Sequence, residues 1–251
     1  MDFIKFLGTA GARIVVARQL RSSAGMWLSM DGTNIYIDPG PGALVWCFMS
    51  KPKLDPLKLD GILLSHKHLD HSGDVNAMIE AMSLGGHHKK GEVFVPADAM
   101  KGDPVVLKYV RRYINKIHVL REGSKYKVGS LSFSTPVLHQ HGGHTFGFRI
   151  KGKRKTVSYI ADTRYFKELA RHYKGSDVLV ISVLKEKPSG LDHLCIDEAA
   201  EIIREAKPKI AVLTHFGRFL LRAKPKLLAQ KMTKKLGIKV VAAEDGMRIP
   251  L

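Results

Sequence analysis

Cysteine is nearly absent: the 251 residues include two, Cys47 and Cys195, far apart in the chain. That excludes a disulfide framework and an all-thiolate metal site. Both are expected as buried, reduced thiols, which favours a cytoplasmic location. Long apolar runs are missing too, the longest being residues 42–49, far short of the roughly 20 residues that a membrane-spanning helix needs. The first residues, Met1-Asp2-Phe3-Ile4-Lys5-Phe6, lack the basic region and apolar core of a signal peptide and read as a strand. No nucleotide-binding fingerprint is present, since Gly8-Thr9-Ala10-Gly11-Ala12 is not followed by Lys-Ser/Thr. That stretch is expected as a turn near a site. Nothing in the length demands a second domain, so residues 1–251 are expected to fold as one α/β unit.

Acidic residues are also scarce, with 23 Asp and Glu against 41 Lys and Arg, a net charge of +18. A field of that sign attracts phosphate-bearing partners. A lysine-rich surface serving solubility or heat tolerance gives the same count, so charge alone leaves both readings open. The basic run at residues 151–155 reads as a solvated hairpin tip, and Arg13, Arg18 and Arg21 form a basic segment ahead of a strand at Met26-Trp27-Leu28.

Histidine is what the chain concentrates. Ser65-His66-Lys67-His68-Leu69-Asp70-His71-Ser72-Gly73-Asp74 holds five potential metal ligands and follows the apolar run Ile62-Leu63-Leu64, which reads as a buried strand. Two residues apart, His66 and His68 would not share a helix face. At a strand mouth, where the backbone turns, both rings can converge on one ion while Asp70 and His71 reach a second. Imidazole and carboxylate ligands without thiolate suit zinc, manganese or iron. Of the other histidines, the pair His87-His88 follows a helix stop at Gly85-Gly86 and reads as solvated loop.

The segment His66-Lys67-His68-Leu69-Asp70-His71 resembles the signature of the metallo-β-lactamase fold superfamily of dinuclear metallohydrolases. That resemblance implies a four-layered αββα sandwich of two mixed β-sheets flanked by helices. It also implies further motifs in order, each at a strand end. Asp38, closing Asn34-Ile35-Tyr36-Ile37, matches the first motif and would support the metal loop by hydrogen bonds. His139, His141 and His144 compete for one ligand role. In relatives resembling ribonuclease Z and phosphonate-pathway phosphodiesterases, the third-motif histidine lies six residues before a Gly-aromatic pair, and Gly147-Phe148 selects His141. Asp162 matches the fourth motif, a carboxylate bridging two ions, and His215 in Thr214-His215-Phe216 the fifth. The carried-over set is therefore His66, His68 and His141 on one ion, Asp70, His71 and His215 on the other, and Asp162 between them. It implies two divalent ions, zinc first, with manganese or iron as alternatives.

The same resemblance gives Asp70 and His193 catalytic parts, His193 touching the scissile phosphate and protonating the leaving group. Arg18, Arg21, Lys67 and Arg164 are unranked candidates for holding a phosphate. The segment between Asp162 and His193 lacks the long Gly/Pro-rich arm by which ribonuclease Z grips transfer RNA, and no inserted cap domain is visible, so long-RNA processing is not implied. The leading expectation is a phosphodiesterase acting on a nucleotide, a cyclic phosphodiester or a short nucleic acid. A thioester or lactone hydrolase of the glyoxalase II-like type is the alternative, and a metal-stabilised nucleic-acid-binding module the third. A homodimer is left open.

Spacing and turn signals further predict helices over residues 43–50, 74–84, 104–115 and 165–173. A basic helix is expected over 223–236, with Leu227, Leu228, Met232 and Leu236 on one face, and a closing strand and hairpin over 240–249.

Overall fold

The computed structural model describes residues 1–251, the side chain of Ala12 excepted. The first half of the chain runs β1 (Phe3–Phe6), α1 (Ala12–Ala17), β2 (Met26–Met30), β3 (Thr33–Ile37), α2 (Ala43–Met49), β4 (Gly61–Leu63), α3 (Leu69–Ser72), α4 (Val75–Met82), β5 (Glu92–Val95) and β6 (Lys116–Val119). The second half runs β7 (Ser124–Val128), β8 (Leu131–Thr135), β9 (Leu138–His139), β10 (Thr145–Phe146), β11 (Phe148–Lys151), β12 (Thr156–Ile160), β13 (Val178–Ser182), α5 (Ile196–Ala206), β14 (Ile210–Thr214), α6 (Arg218–Arg222), α7 (Pro225–Leu236), β15 (Lys239–Ala242) and β16 (Arg248–Pro250).

Two seven-stranded mixed sheets result, in the orders β16-β1-β2-β3-β4-β5-β6 and β15-β14-β13-β12-β11-β8-β7, with β9 and β10 paired apart. Central strands such as β4 and β13 are apolar on both faces because each face meets another layer, whereas the edge strands β6 and β7 carry exposed lysines. In β3, β4 and β5, Ile35, Leu63 and Phe94 point into the layer between the sheets, while Tyr36, Ile62 and Val93 point out against α2 and α4. In β13, Val178 and Val180 face the central layer, whereas Leu179 and Ile181 face α5 and α7. The period of two thus builds four layers, αββα. Asp31 and Gly32, both at positive φ (+49° and +77°), make the tight turn between β2 and β3.

Four local expectations are corrected. Residues 104–115 form only a 3-10 turn at Tyr109–Tyr113. Side chains take the backbone groups a helix would use: the distant Asn76 amide donates to the Val105 carbonyl and accepts from Leu107 N–H, and Arg111, within the stretch, donates to the Val106 and Met100 carbonyls. Residues 165–173 likewise tighten into a 3-10 turn at Ala170–Tyr173, where the Ser176 hydroxyl donates to the Tyr173 carbonyl. The basic helix begins only at Pro225, because Lys224 before the proline takes positive φ (+57°). Of the expected face, Leu227 is 49% exposed, whereas Met232 is buried and Leu228 and Leu236 pack against the core, joined by Ala229. Last, β15 and β16 form no hairpin: β15 joins β14 in parallel, and β16 crosses to pair with β1 in the other sheet.

Both cysteines are free and buried. Residues 151–155 cap the β11–β12 hairpin, and His87 and His88 are exposed. Among the described residues no helix is long and apolar enough to cross a membrane.

Candidate metal centre

The ends of β3, β4, β12 and β14 meet along one edge of the sandwich, each followed by a residue singled out above: Asp38, His66, Asp162 and His215. His68 leads into α3, whose first turn carries Asp70 and His71, and His141 lies on the loop joining β9 to β10. Two ligand groups arise there, His66–His68–His141 and Asp70–His71–Asp162–His215, the donor atoms of each lying within 4.8 Å of one another. A third group, His141–Asp162–His193, overlaps both.

The spacing suits ions. His68 Nδ1 stands 3.0 Å from His66 Nε2 and 3.2 Å from His141 Nε2. In the second group His215 Nε2 is 3.1 Å from His71 Nε2 and 3.2 Å from Asp70 Oδ2. Tetrahedral ligands about 2.0–2.1 Å from a common ion are separated by roughly 3.3 Å. Asp162 Oδ2 lies 3.5 Å from His71, 3.6 Å from His141 and 3.4 Å from His215, so one carboxylate oxygen faces both groups. Its Oδ1 is buried with no hydrogen-bond partner. A buried, half-unpaired carboxylate ringed by imidazole nitrogens is a donor set awaiting cations.

The chain also presents the correct nitrogens. Asp38 Oδ1 accepts from Ser65 N–H at 2.6 Å, and its Oδ2 accepts from the Ser65 hydroxyl at 2.7 Å and from His71 Nδ1 at 2.9 Å. With its proton given to Asp38, the Ser65 oxygen can only accept from His66 Nδ1, 3.0 Å away. One aspartate thereby sets the tautomer of a histidine in each group, leaving both Nε2 lone pairs free. His141 Nδ1 donates to the Asp192 carbonyl at 2.7 Å, with the same result.

Electrostatics set the two groups apart. Burial, reinforced by neighbouring His71, pushes His66 well below the usual imidazole value, keeping its lone pair available at neutral pH. Burial also opposes charge on His71, but Asp70, Asp162 and Asp38 outweigh it and raise its pKa. For Asp162, burial is overcome by His215 and His71, which hold the carboxyl well below its usual range.

His215 sits in the left-handed region (φ +64°) and is clasped by the glycine-containing loop: Phe216 N–H donates to the Thr9 carbonyl, and Gly11 N–H to the Phe216 carbonyl. A Cβ on Gly11 would stand 2.1 Å from the His215 carbonyl oxygen and 2.6 Å from its Nδ1, so only glycine fits. Asp245 ties this loop down by accepting from the Thr9 hydroxyl and Ser22 N–H. The sequence pointed to a turn near the site here, but not to its partner; Asp245 left no local signal at all.

Other expected residues fall differently. His139 is buried outside the groups, its Nε2 paired with the Tyr173 hydroxyl at 2.8 Å, and burial lowers its pKa to about 3. His144 is half-exposed near Asp98. Arg21 reaches the Thr9 hydroxyl, Arg164 donates from Nε to Gln140 Oε1 beside His141, and the side chains of Lys67 and Arg18 form no hydrogen bond or ion pair among the described residues.

Elemental analysis of the purified protein is expected to find about two transition-metal ions per chain. His144→Ala should retain both. His139→Ala should also retain both while losing about 1–3 kcal/mol of stability, because the Tyr173 hydroxyl is left buried and unpaired. Loss of an ion in His144→Ala but not in His141→Ala would reverse the ligand choice.

A family model described as the beta-lactamase superfamily domain matches residues 33–216. An uncharacterised protein of Methanocaldococcus jannaschii is 26% identical, the match covering 99% of this chain and 94% of that protein. A ribonuclease Z of Borreliella burgdorferi is 25% identical over 98% of this chain and 96% of its own length. A metal-dependent hydrolase of Enterococcus faecalis is 24% identical over 80% and 87%. Among solved structures, the metallo-beta-lactamase fold protein YhfI of Bacillus subtilis superposes with a TM-score of 0.81 at 21% identity, covering 99% of this chain and 98% of that one. A diphosphatase from the PhnP family gives 0.71 at 19% identity, covering 99% and 97%.

Proposed function

Because the chain belongs to the beta-lactamase superfamily domain family and is a metal-dependent hydrolase, we propose that it cleaves phosphodiesters of nucleotide size. The observation that carries this reading is His193. Its Nδ1 lies 3.5 Å from Asp162 Oδ2, and its ring leans on those of His141 and His215, so a further imidazole faces the point where the two ligand groups meet. A hydrolase of activated esters or thioesters has little need of an extra proton donor there, whereas a phosphodiester with an alkoxide leaving group does. The ribonuclease Z and diphosphatase likenesses point to phosphate chemistry as well.

In this reading His66, His68 and His141 hold one ion, Asp70, His71 and His215 the other, and Asp162 both; zinc suits the nitrogen-rich set best. When bound, such a pair lowers the pKa of a shared water toward neutrality and polarises the bond under attack. The chain's own residues do the rest. Asp38 and Ser65 fix the imidazole orientations. Asp70, 17% exposed where Asp162 is 2%, faces the opening and can orient a reacting water as well as bind. His193 is held over the site by its loop, in which Lys185 Nζ donates to the Leu191 and Ser189 carbonyls. Burial lowers His193 to about 4, and an anionic phosphodiester beside the ring opposes that shift.

The test is a panel on the metal-loaded protein: bis-p-nitrophenyl phosphate, a cyclic nucleotide and an acyl thioester. Turnover of the phosphate esters with a dead thioester is the expected result. Thioester turnover alone would move the protein to the glyoxalase II-like alternative.

A further inference from the structure

At the ends of β5 and β6 lies a second hollow, of about 480 Å3, within the size range of small-ligand sites. Its floor is the buried pair Leu120 and Phe146, and its walls include Met100, Val119 and Leu138. Val119 and Leu138 are 42% and 36% exposed, which gives the hollow an apolar wall open to solvent.

The hollow adjoins the ligand groups. β4, β5 and β6 are parallel neighbours, and at about 4.8 Å per strand their ends step roughly 10 Å from His66 to the hollow. Phe146 N–H donates to the Ser65 carbonyl at 3.0 Å, one residue before His66, so floor and metal loop are bonded together. His144 on the rim is three residues beyond His141, and Asp98 accepts from its N–H.

The rim is polar and carries both signs of charge: Lys101 and Arg121 stand there with Glu122, whose Oε1 accepts from Leu138 N–H. Arg121 has its backbone pinned, its N–H donating to the Tyr126 hydroxyl and its carbonyl accepting from Thr135 Oγ1. Its guanidinium forms no hydrogen bond or ion pair among the described residues, and neither does the Lys101 amine. An apolar slot with polar groups at its lip and a free planar cation matches a flat ring whose faces are apolar and whose edges carry donors and acceptors. An aliphatic tail would leave the lip unmatched.

We propose that this hollow seats the nucleobase of the substrate, with the Arg121 guanidinium against the ring. The inference rests on the phosphodiester reading and narrows it to base-bearing esters.

The experiment is titration calorimetry on the metal-loaded protein with AMP and ribose 5-phosphate, which differ by the base alone. AMP should bind at least about tenfold tighter. Val119→Trp, which fills the hollow from an exposed edge-strand position, should cut that advantage below about twofold, and Arg121→Ala should cut it several-fold. Adenosine alone should shift the methyl resonances of Val119 and Leu138. Equal binding of the two phosphates, or an AMP advantage that survives Val119→Trp, overturns the proposal and leaves the phosphodiester reading standing. Binding of neither phosphate, with the methyl shifts retained, keeps the base site, and turnover of the phosphodiester panel then decides the phosphodiester reading on its own.

Discussion

Asp162→Ala is expected to abolish turnover and to release or loosen both ions at once. Among the proposed ligands, Asp162 alone has one oxygen within 3.6 Å of nitrogens from both groups. Removing it takes a ligand from each ion and strips His71, His141, His193 and His215 of the one carboxylate they share, with Asp38 and Asp70 left beside His71 and His215 alone. Partners that merely orient a ligand are worth about 10–100-fold in metal affinity, so loss of the carboxylate itself should exceed that at both positions. Asp162→Asn, of the same shape without the charge, should lie between. Elemental analysis and turnover measured on one preparation check this. Retention of both ions in Asp162→Ala would sink the bridging role, and loss of only one would reassign Asp162 to a single ion.

His193→Ala should keep both ions and the fold while losing turnover in proportion to how badly the leaving group needs a proton. The expected loss on an alkoxide leaving group is on the order of 10²–10⁴-fold. Bis-p-nitrophenyl phosphate, whose leaving group needs little protonation, should be affected much less. The geometry makes this comparison sharp, because His193 also belongs to a possible ligand trio with His141 and Asp162. If it binds an ion, the variant loses metal and both substrates suffer equally. If it only braces the loop that carries Asp192 against His141, neither the leaving-group dependence nor the metal content will move as described.

The parts of this molecule that the sequence displays are those governed by neighbours in the chain. The strand of Ile62 and Leu63 is apolar throughout because it is buried on both faces, and the ligands crowd the residues directly after it. The parts it conceals depend on distant partners. Asn76 unmakes an otherwise helical stretch at residues 104–115 by bonding Val105 and Leu107, and nothing in that stretch announces it. Arg248–Pro250 pairs with a strand at the opposite end of the chain, so its short apolar pattern looked like half of a local hairpin. The choice of His141 came from a family spacing, whereas chemistry alone left three histidines equal. The structure separates them by burial and direction: His139 turns into Tyr173, His144 faces outward, and His141 reaches His68.

The proposed ligands are divided between the halves of the chain. His66, His68, Asp70 and His71 follow β4 of the first sheet, while His141, Asp162 and His215 come from the second half, and each ligand group draws on both. Each ion would therefore rivet one half of the sandwich to the other. Melting temperature should then follow free metal concentration, since a hundredfold excess over a site's dissociation constant adds about 2.7 kcal/mol. Chelator-treated protein should melt earlier and be cut sooner by proteases, and an unchanged melting curve would show that the halves hold without the rivets. In a living cell the supply of metal would govern how long each copy of this chain survives, before it governs how fast any copy works.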